Sequence, residues 1–117
     1  MYKNLIQVVN KHTHTPNNND VYCGRGSPLG NPYTHLDSKF HDVVKLDSRD
    51  KACDAFEVFL DAQLEDPKSP QRKAMAKLYN HVKKGNPLNL VCFCKPSRCH
   101  LDYVRTILIE ALEKSEK

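Results

Sequence analysis

Residues 92–100 read CFCKPSRCH and carry three of the chain's five cysteines together with a histidine. Thiols and an imidazole at this density point to one of three things: a metal centre, a reactive thiolate, or a buried strand running into a helix. Along a strand successive side chains alternate, so Cys92 and Cys94 are expected on one face and Phe93 on the other. Ser97 is an N-cap by type, which places Arg98, Cys99 and His100 in the first turn of a helix. That turn carries unbonded backbone N–H groups and the positive end of the helix dipole, and Lys95 and Arg98 add formal charge. A phosphate or carboxylate is the ligand such a place favours. The same field favours a thiolate, which makes Cys99 the candidate nucleophile. It also disfavours a protonated imidazole, which makes His100 the candidate base. Zinc is the rival, with Cys92, Cys94 and Cys99 joined by Cys23 or His100 as ligands. Against zinc, neighbouring residues on a helix point about 100° apart, so Cys99 and His100 are expected to diverge. Cys53, on a separate predicted helix, reads as packing.

A second stretch, CGRGSPLGNP from Cys23, follows a short predicted strand. Its glycines are spaced G-x-G-x-x-x-G and no G-K-[ST] follows, so it is neither a dinucleotide fingerprint nor a P-loop. Gly24, Gly26 and Gly30 permit close backbone approach. Arg25, Ser27 and Asn31 supply polar groups, and Pro28 and Pro32 stiffen the loop, which lowers the entropy cost of binding. Together the two stretches offer a pocket for an anionic, nucleotide-like molecule, with Gly24, Arg25, Gly26, Ser27, Gly30, Asn31, Lys95, Ser97 and Arg98 as its binding residues. Arg25 and Arg98 would hold phosphate oxygens.

The elements that must position these residues follow from pattern. Leu5–Val9 is apolar and β-branched and ends in HTHTPNNND, a strand followed by a turn. Val21–Cys23 is a second short strand. The stretch from Thr34 to Leu46 has no clear reading. Asp47 or Ser48 caps a helix from about Arg49, whose apolar face runs through Ala52, Phe56, Phe59, Leu60 and Leu64 and which stops at Asp66-Pro67. Another helix follows Pro70, with Met75, Leu78, Tyr79 and Val82 on one side, and ends at Gly85-Asn86-Pro87. Leu88–Phe93 reads as a central strand. A last helix runs from about Arg98 to Lys114 on a stripe of Leu101, Val104, Ile107, Leu108, Ala111 and Leu112. Strands separated by helices predict a small α/β, Rossmann-like layer fold with a short central sheet and about three helices. In such sheets ligands gather at the carboxyl ends of the strands.

The chain has 117 residues, which suits one domain with one modest core over residues 1–117. With 39% hydrophobic and 27% charged residues it has a globular balance. No apolar run nears the ~20 residues of a membrane span, and the start MYKNLIQVVN lacks a secretory pattern. An odd cysteine count then argues for reduced thiols or metal ligands and a cytoplasmic setting. The net charge of +4 is modest. Lys68, Arg72, Lys73, Lys77, Lys83 and Lys84 read as a solvated helix face. With no interleaved aromatics for base stacking, nucleic acid is not the expected partner.

The pairing of YCGRGSPLGNP with LVCFCKPSRCH resembles the phage-enriched, uncharacterised family called domain of unknown function 4326. The likeness runs from about Val21 to Val104. It is specific at Gly24, Arg25, Ser27, Gly30, Asn31, Pro32, Cys92, Cys94, Pro96, Cys99 and His100. This chain has Phe93 where an aromatic such as Trp is common, and Leu101 where Gly is expected. The resemblance implies a Rossmann-like domain of phage or prophage origin and brings no established activity. The expected function is binding of a nucleotide-like small ligand, by a protein that modifies a nucleotide or sequesters a host nucleotide signal to counteract host defence. The alternative is a zinc-stapled module that binds a host protein or nucleic acid.

Overall fold

The computed structural model describes residues 2–24, 27–34, 44–46, 48–92 and 99–115. Its elements are strands β1 (Ile6–Asn10), β2 (Asp20–Tyr22), β3 (Tyr33–Thr34) and β4 (Val44–Lys45), helices α1 (Arg49–Leu64) and α2 (Pro70–Lys83), strand β5 (Leu88–Cys92) and helix α3 (His100–Lys114). A 3-10 turn, Tyr2–Asn4, precedes β1. Strands β1, β5 and β2 form a parallel sheet in that order. The α/β class, the central position of the Leu88 strand and the three helices all agree with expectation.

Alternation sorts the sheet into two faces. The register pairs Ile6 with Leu88, Val8 with Leu90 and Asn10 with Cys92. Ile6, Leu88, Leu90 and Cys92 are at most 1% exposed and join the helices in one core cluster. Gln7, Asp20 and Asn89 fall on the opposite face, where the Asn89 amide donates to the Asp20 carboxylate at 3.0 Å. The LNLVC run is paired at both edges, and four of its five residues are buried.

The helices obey their local signals. Ser48 Oγ accepts the Lys51 N–H and caps α1; Ser69 Oγ accepts the Arg72 N–H and caps α2, with Pro70 next. Phe56, Leu60, Met75, Leu78 and Val82 turn inward. Gly85, at φ +93°, takes the left-handed conformation that ends α2. On α3, Leu101, Val104, Leu108 and Leu112 are at most 1% exposed, each worth about 1.5–3 kcal/mol of apolar burial. Arg105 ties this helix to the chain start, donating from Nε to the Ile6 carbonyl at 2.8 Å and from Nη2 to the Lys3 carbonyl at 2.7 Å.

Two expectations need correction. At the two ends of the unread stretch lies a parallel two-stranded pair, β3 with β4, whose two-residue strands are too short to show a period. The last helix begins at His100, with Cys99 as its N-cap. The expected cap, Ser97, lies outside the described residues, as do Arg25, Gly26, Cys94, Lys95 and Arg98.

Candidate functional site

Because all three strands run parallel, the loops after β2 and β5 leave the same edge of the sheet. The ladder extends one residue further there: the Cys23 N–H donates to the Val91 carbonyl at 3.0 Å, and the Lys11 N–H to the Cys92 carbonyl at 2.8 Å. Cys23 opens the glycine loop, and Cys92 opens the CFCKPSRCH segment.

His100 joins them. It is 6% exposed, and its Nε2 lies 2.9 Å from the Cys23 carbonyl oxygen. A carbonyl only accepts, so Nε2 carries the hydrogen. The ring also stands edge-on to Phe56 of α1, with centroids 4.9 Å apart and planes at 73°. The first residue of α3, a strand end and α1 are thus held by one side chain. The tautomer follows as well: in neutral His100 the lone pair sits on Nδ1, the atom that faces Cys99 Sγ at 3.7 Å.

That short separation corrects the expectation that Cys99 and His100 diverge. The 100° rule holds between two helical residues, but Cys99 is an N-cap with extended backbone, φ −130° and ψ 145°. Its Sγ accepts the Leu101 N–H at 3.5 Å, while the Asp102 carboxylate accepts the Cys99 N–H at 3.2 Å. This is a capping box with a thiol in the place of a hydroxyl. It has a chemical consequence. The first N–H groups of α3 are engaged by the chain's own cap, and a carboxylate stands beside them, so the helix start by itself is not a free anion cradle. Cys99, the expected nucleophile, is only 2% exposed.

Cys23 is no nucleophile. Burial, with a smaller effect from neighbouring Cys92, pushes its thiol up to about 12. It stays protonated and donates to the Val21 carbonyl at 3.4 Å. Cys53 and Cys92 are buried too. Among the described residues no three His, Cys, Asp or Glu side chains form a metal-sized cluster; Cys94, one of the expected zinc ligands, lies outside that set.

In the glycine loop several expected ligand-binding groups bond the chain. Ser27 donates from Oγ to the Gly24 carbonyl at 2.6 Å, and the Gly30 N–H donates to the Ser27 carbonyl at 3.0 Å. Asn31 reaches α1, its amide nitrogen donating to the Ala52 carbonyl at 3.2 Å, and its amide oxygen accepts the Tyr33 N–H at 2.9 Å. At Gly24 a Cβ would meet the ring end of Tyr22, an exposed side chain that would have to move aside. Leu29, at 2% exposure, anchors the loop in the core. The side chains of Ser27 and Asn31 are thus engaged by the chain itself.

One feature escaped sequence reasoning. A cavity of about 180 Å³ lies between α1 and α3, lined by Cys53, Glu57, Cys99, His100, Asp102, Tyr103 and Thr106. Cys53 and Glu57 stand four apart on α1, a spacing that shares a helix face, but nothing in the sequence pairs that face with the start of α3. Tyr103 is engaged there as a donor to Asp61 at 2.6 Å. That bond, followed by desolvation and nearby carboxylates, pushes its phenol up to about 12.

Residues 6–110 match a family model described as a domain of unknown function, DUF4326. The chain belongs to that family, as the two motifs implied. No curated protein and no solved structure matches it. Among the described residues no helix is long and apolar enough to cross a membrane.

Proposed function

We propose that this member of the DUF4326 family binds an anionic, nucleotide-like small molecule at the carboxyl edge of its parallel sheet, where the glycine loop meets the CFCKPSRCH segment. The observation that carries the reading is the 2.9 Å contact between His100 Nε2 and the Cys23 carbonyl, which roots both motifs at one place. Ligands of open α/β sheets collect at this edge. Arg25, Lys95 and Arg98 belong to the two loops that leave it, so three cations are tethered there by sequence. Since the α3 cap engages its own N–H groups, anion recognition falls to these side chains and to the loop backbone around Gly24. In a phage setting such a protein modifies a nucleotide or sequesters a host nucleotide signal in the host cytoplasm.

The test is native mass spectrometry of freshly purified protein, followed by calorimetry with nucleotides and Arg25→Ala beside Lys73→Ala. Losing a charge-assisted bond in a pocket costs about 1.5–3 kcal/mol, roughly 10- to 150-fold in Kd. The exposed helix charge Lys73 should cost far less, since exposed ion pairs contribute about 0–1 kcal/mol. Equal and salt-sensitive losses would replace the pocket with a diffuse nucleic-acid surface. Bound zinc with no nucleotide affinity would replace it with the zinc-stapled module.

A further inference from the structure

We infer that Cys99 and His100 form a thiol–imidazole pair that attacks a small uncharged or cationic C–N electrophile, an amide or amidine, held in the cavity between α1 and α3. This goes beyond the nucleotide reading and does not rest on it, because the described lining of the cavity comes from α1, α3 and the α3 cap. Three observations combine. The His100 tautomer is set by the Cys23 carbonyl, so Nδ1 is the proton acceptor and faces Cys99 Sγ at 3.7 Å. Negative charge forming on Sγ is met by the Leu101 N–H at 3.5 Å and by the positive end of a 15-residue helix. Both side chains line one cavity of about 180 Å³, room for several waters, each taking about 30 Å³ in the liquid, or for one small planar group.

The lining selects by charge. Glu57 and Asp102 contribute carboxylates, which repel an anionic group and attract an amidinium. The protons balance without an outside oxidant. Nδ1 takes the Cys99 proton as Sγ bonds to the electrophilic carbon. The C–N bond then breaks, and the leaving amine departs with the proton from Nδ1. Water cleaves the Sγ–C bond, giving one proton to Nδ1, which returns it to Sγ.

The experiment is alkylation of the intact protein with chloroacetamidine, iodoacetamide and iodoacetate. Each rate is normalised to that of a free thiol, and the modified cysteine is located by peptide mass spectrometry. Cys99, reached through the cavity, should be labelled ahead of the other buried thiols Cys23, Cys53 and Cys92. The cationic reagent should be favoured over the anionic one by about tenfold or more, the effect of a partly screened charge pair. His100→Asn should slow all three reagents. Glu57→Gln, at a half-buried position outside the core cluster, should lower the preference for the cation, with a melting curve recorded beside it to show that the fold is kept. That variant keeps the test valid if His100→Asn fails to fold. First labelling at Cys53, a normalised order indifferent to reagent charge in wild type, or protection of Cys99 that a chelator relieves would each overturn the inference.

Discussion

His100 should be the most consequential single side chain near the site for stability, and two substitutions separate its two contributions. His100→Phe keeps a ring against Phe56 but removes the donor to the Cys23 carbonyl, whose acceptor is met by Nε2 at 2.9 Å. Stranding a buried acceptor costs about 1–3 kcal/mol. His100→Ala removes the ring as well. Large-to-small aromatic truncation at buried sites costs about 3–5 kcal/mol, and the edge-on pair with Phe56 at 4.9 Å adds a geometric component of about 0.5–1.5 kcal/mol that is not purely area. The expected order is wild type, then Phe, then Ala.

Urea unfolding followed by circular dichroism reads this directly. With a slope of about 1–3 kcal/mol per molar urea, the Phe variant should lose about 1 M in midpoint and the Ala variant about twice that, with slopes unchanged. A Phe variant as stable as wild type would refute the claim that the carbonyl contact holds the edge together. Equal losses in both variants would show that the ring packs without contributing.

Three further outcomes follow from local physics. At Asp20, desolvation alone would raise the carboxyl, but the bonds from His14, the Asn17 N–H and Asn89 outweigh it and hold the carboxyl below its ordinary value. Its stabilisation is therefore present above the unfolded-state value and lost as pH falls through the lower folded-state value. Asp20→Asn should melt below wild type at pH 7, with the gap closing towards pH 3; a gap unchanged between the two would refute this. Gly85→Ala meets no atom within 4 Å but imposes a side chain at φ +93°, so a loss of about 1–2 kcal/mol should come from backbone strain alone, measurable by thermal unfolding. Ser69→Ala removes the α2 cap and, at 3% exposure, also the bond from Oγ to the Gln63 carbonyl at 2.7 Å; the loss should sit near the upper end of about 0.5–2 kcal/mol.

Elements whose periodic signal is long or whose caps are chemically ordinary could be read from the sequence alone. Helices α1 and α2 start at serines and end at Asp66-Pro67 and Gly85, and the structure places them there. β3 and β4 were invisible because two residues carry no period. The start of α3 slipped by two residues because a thiol acts as its cap. Serine is the preferred cap, so Ser97 drew the boundary, yet Asp102 three residues beyond Cys99 is the reciprocal half of a capping box. That slip mattered chemically. With Cys99 inside the helix, the thiol and imidazole would splay apart and the turn would offer open N–H groups to an anion. With Cys99 as cap, the thiol and imidazole face each other and the N–H groups are already bonded. Moving one boundary by two residues thus removes the open set of N–H groups from the helix start, and leaves there a thiol, an imidazole of set tautomer and a cavity that both line.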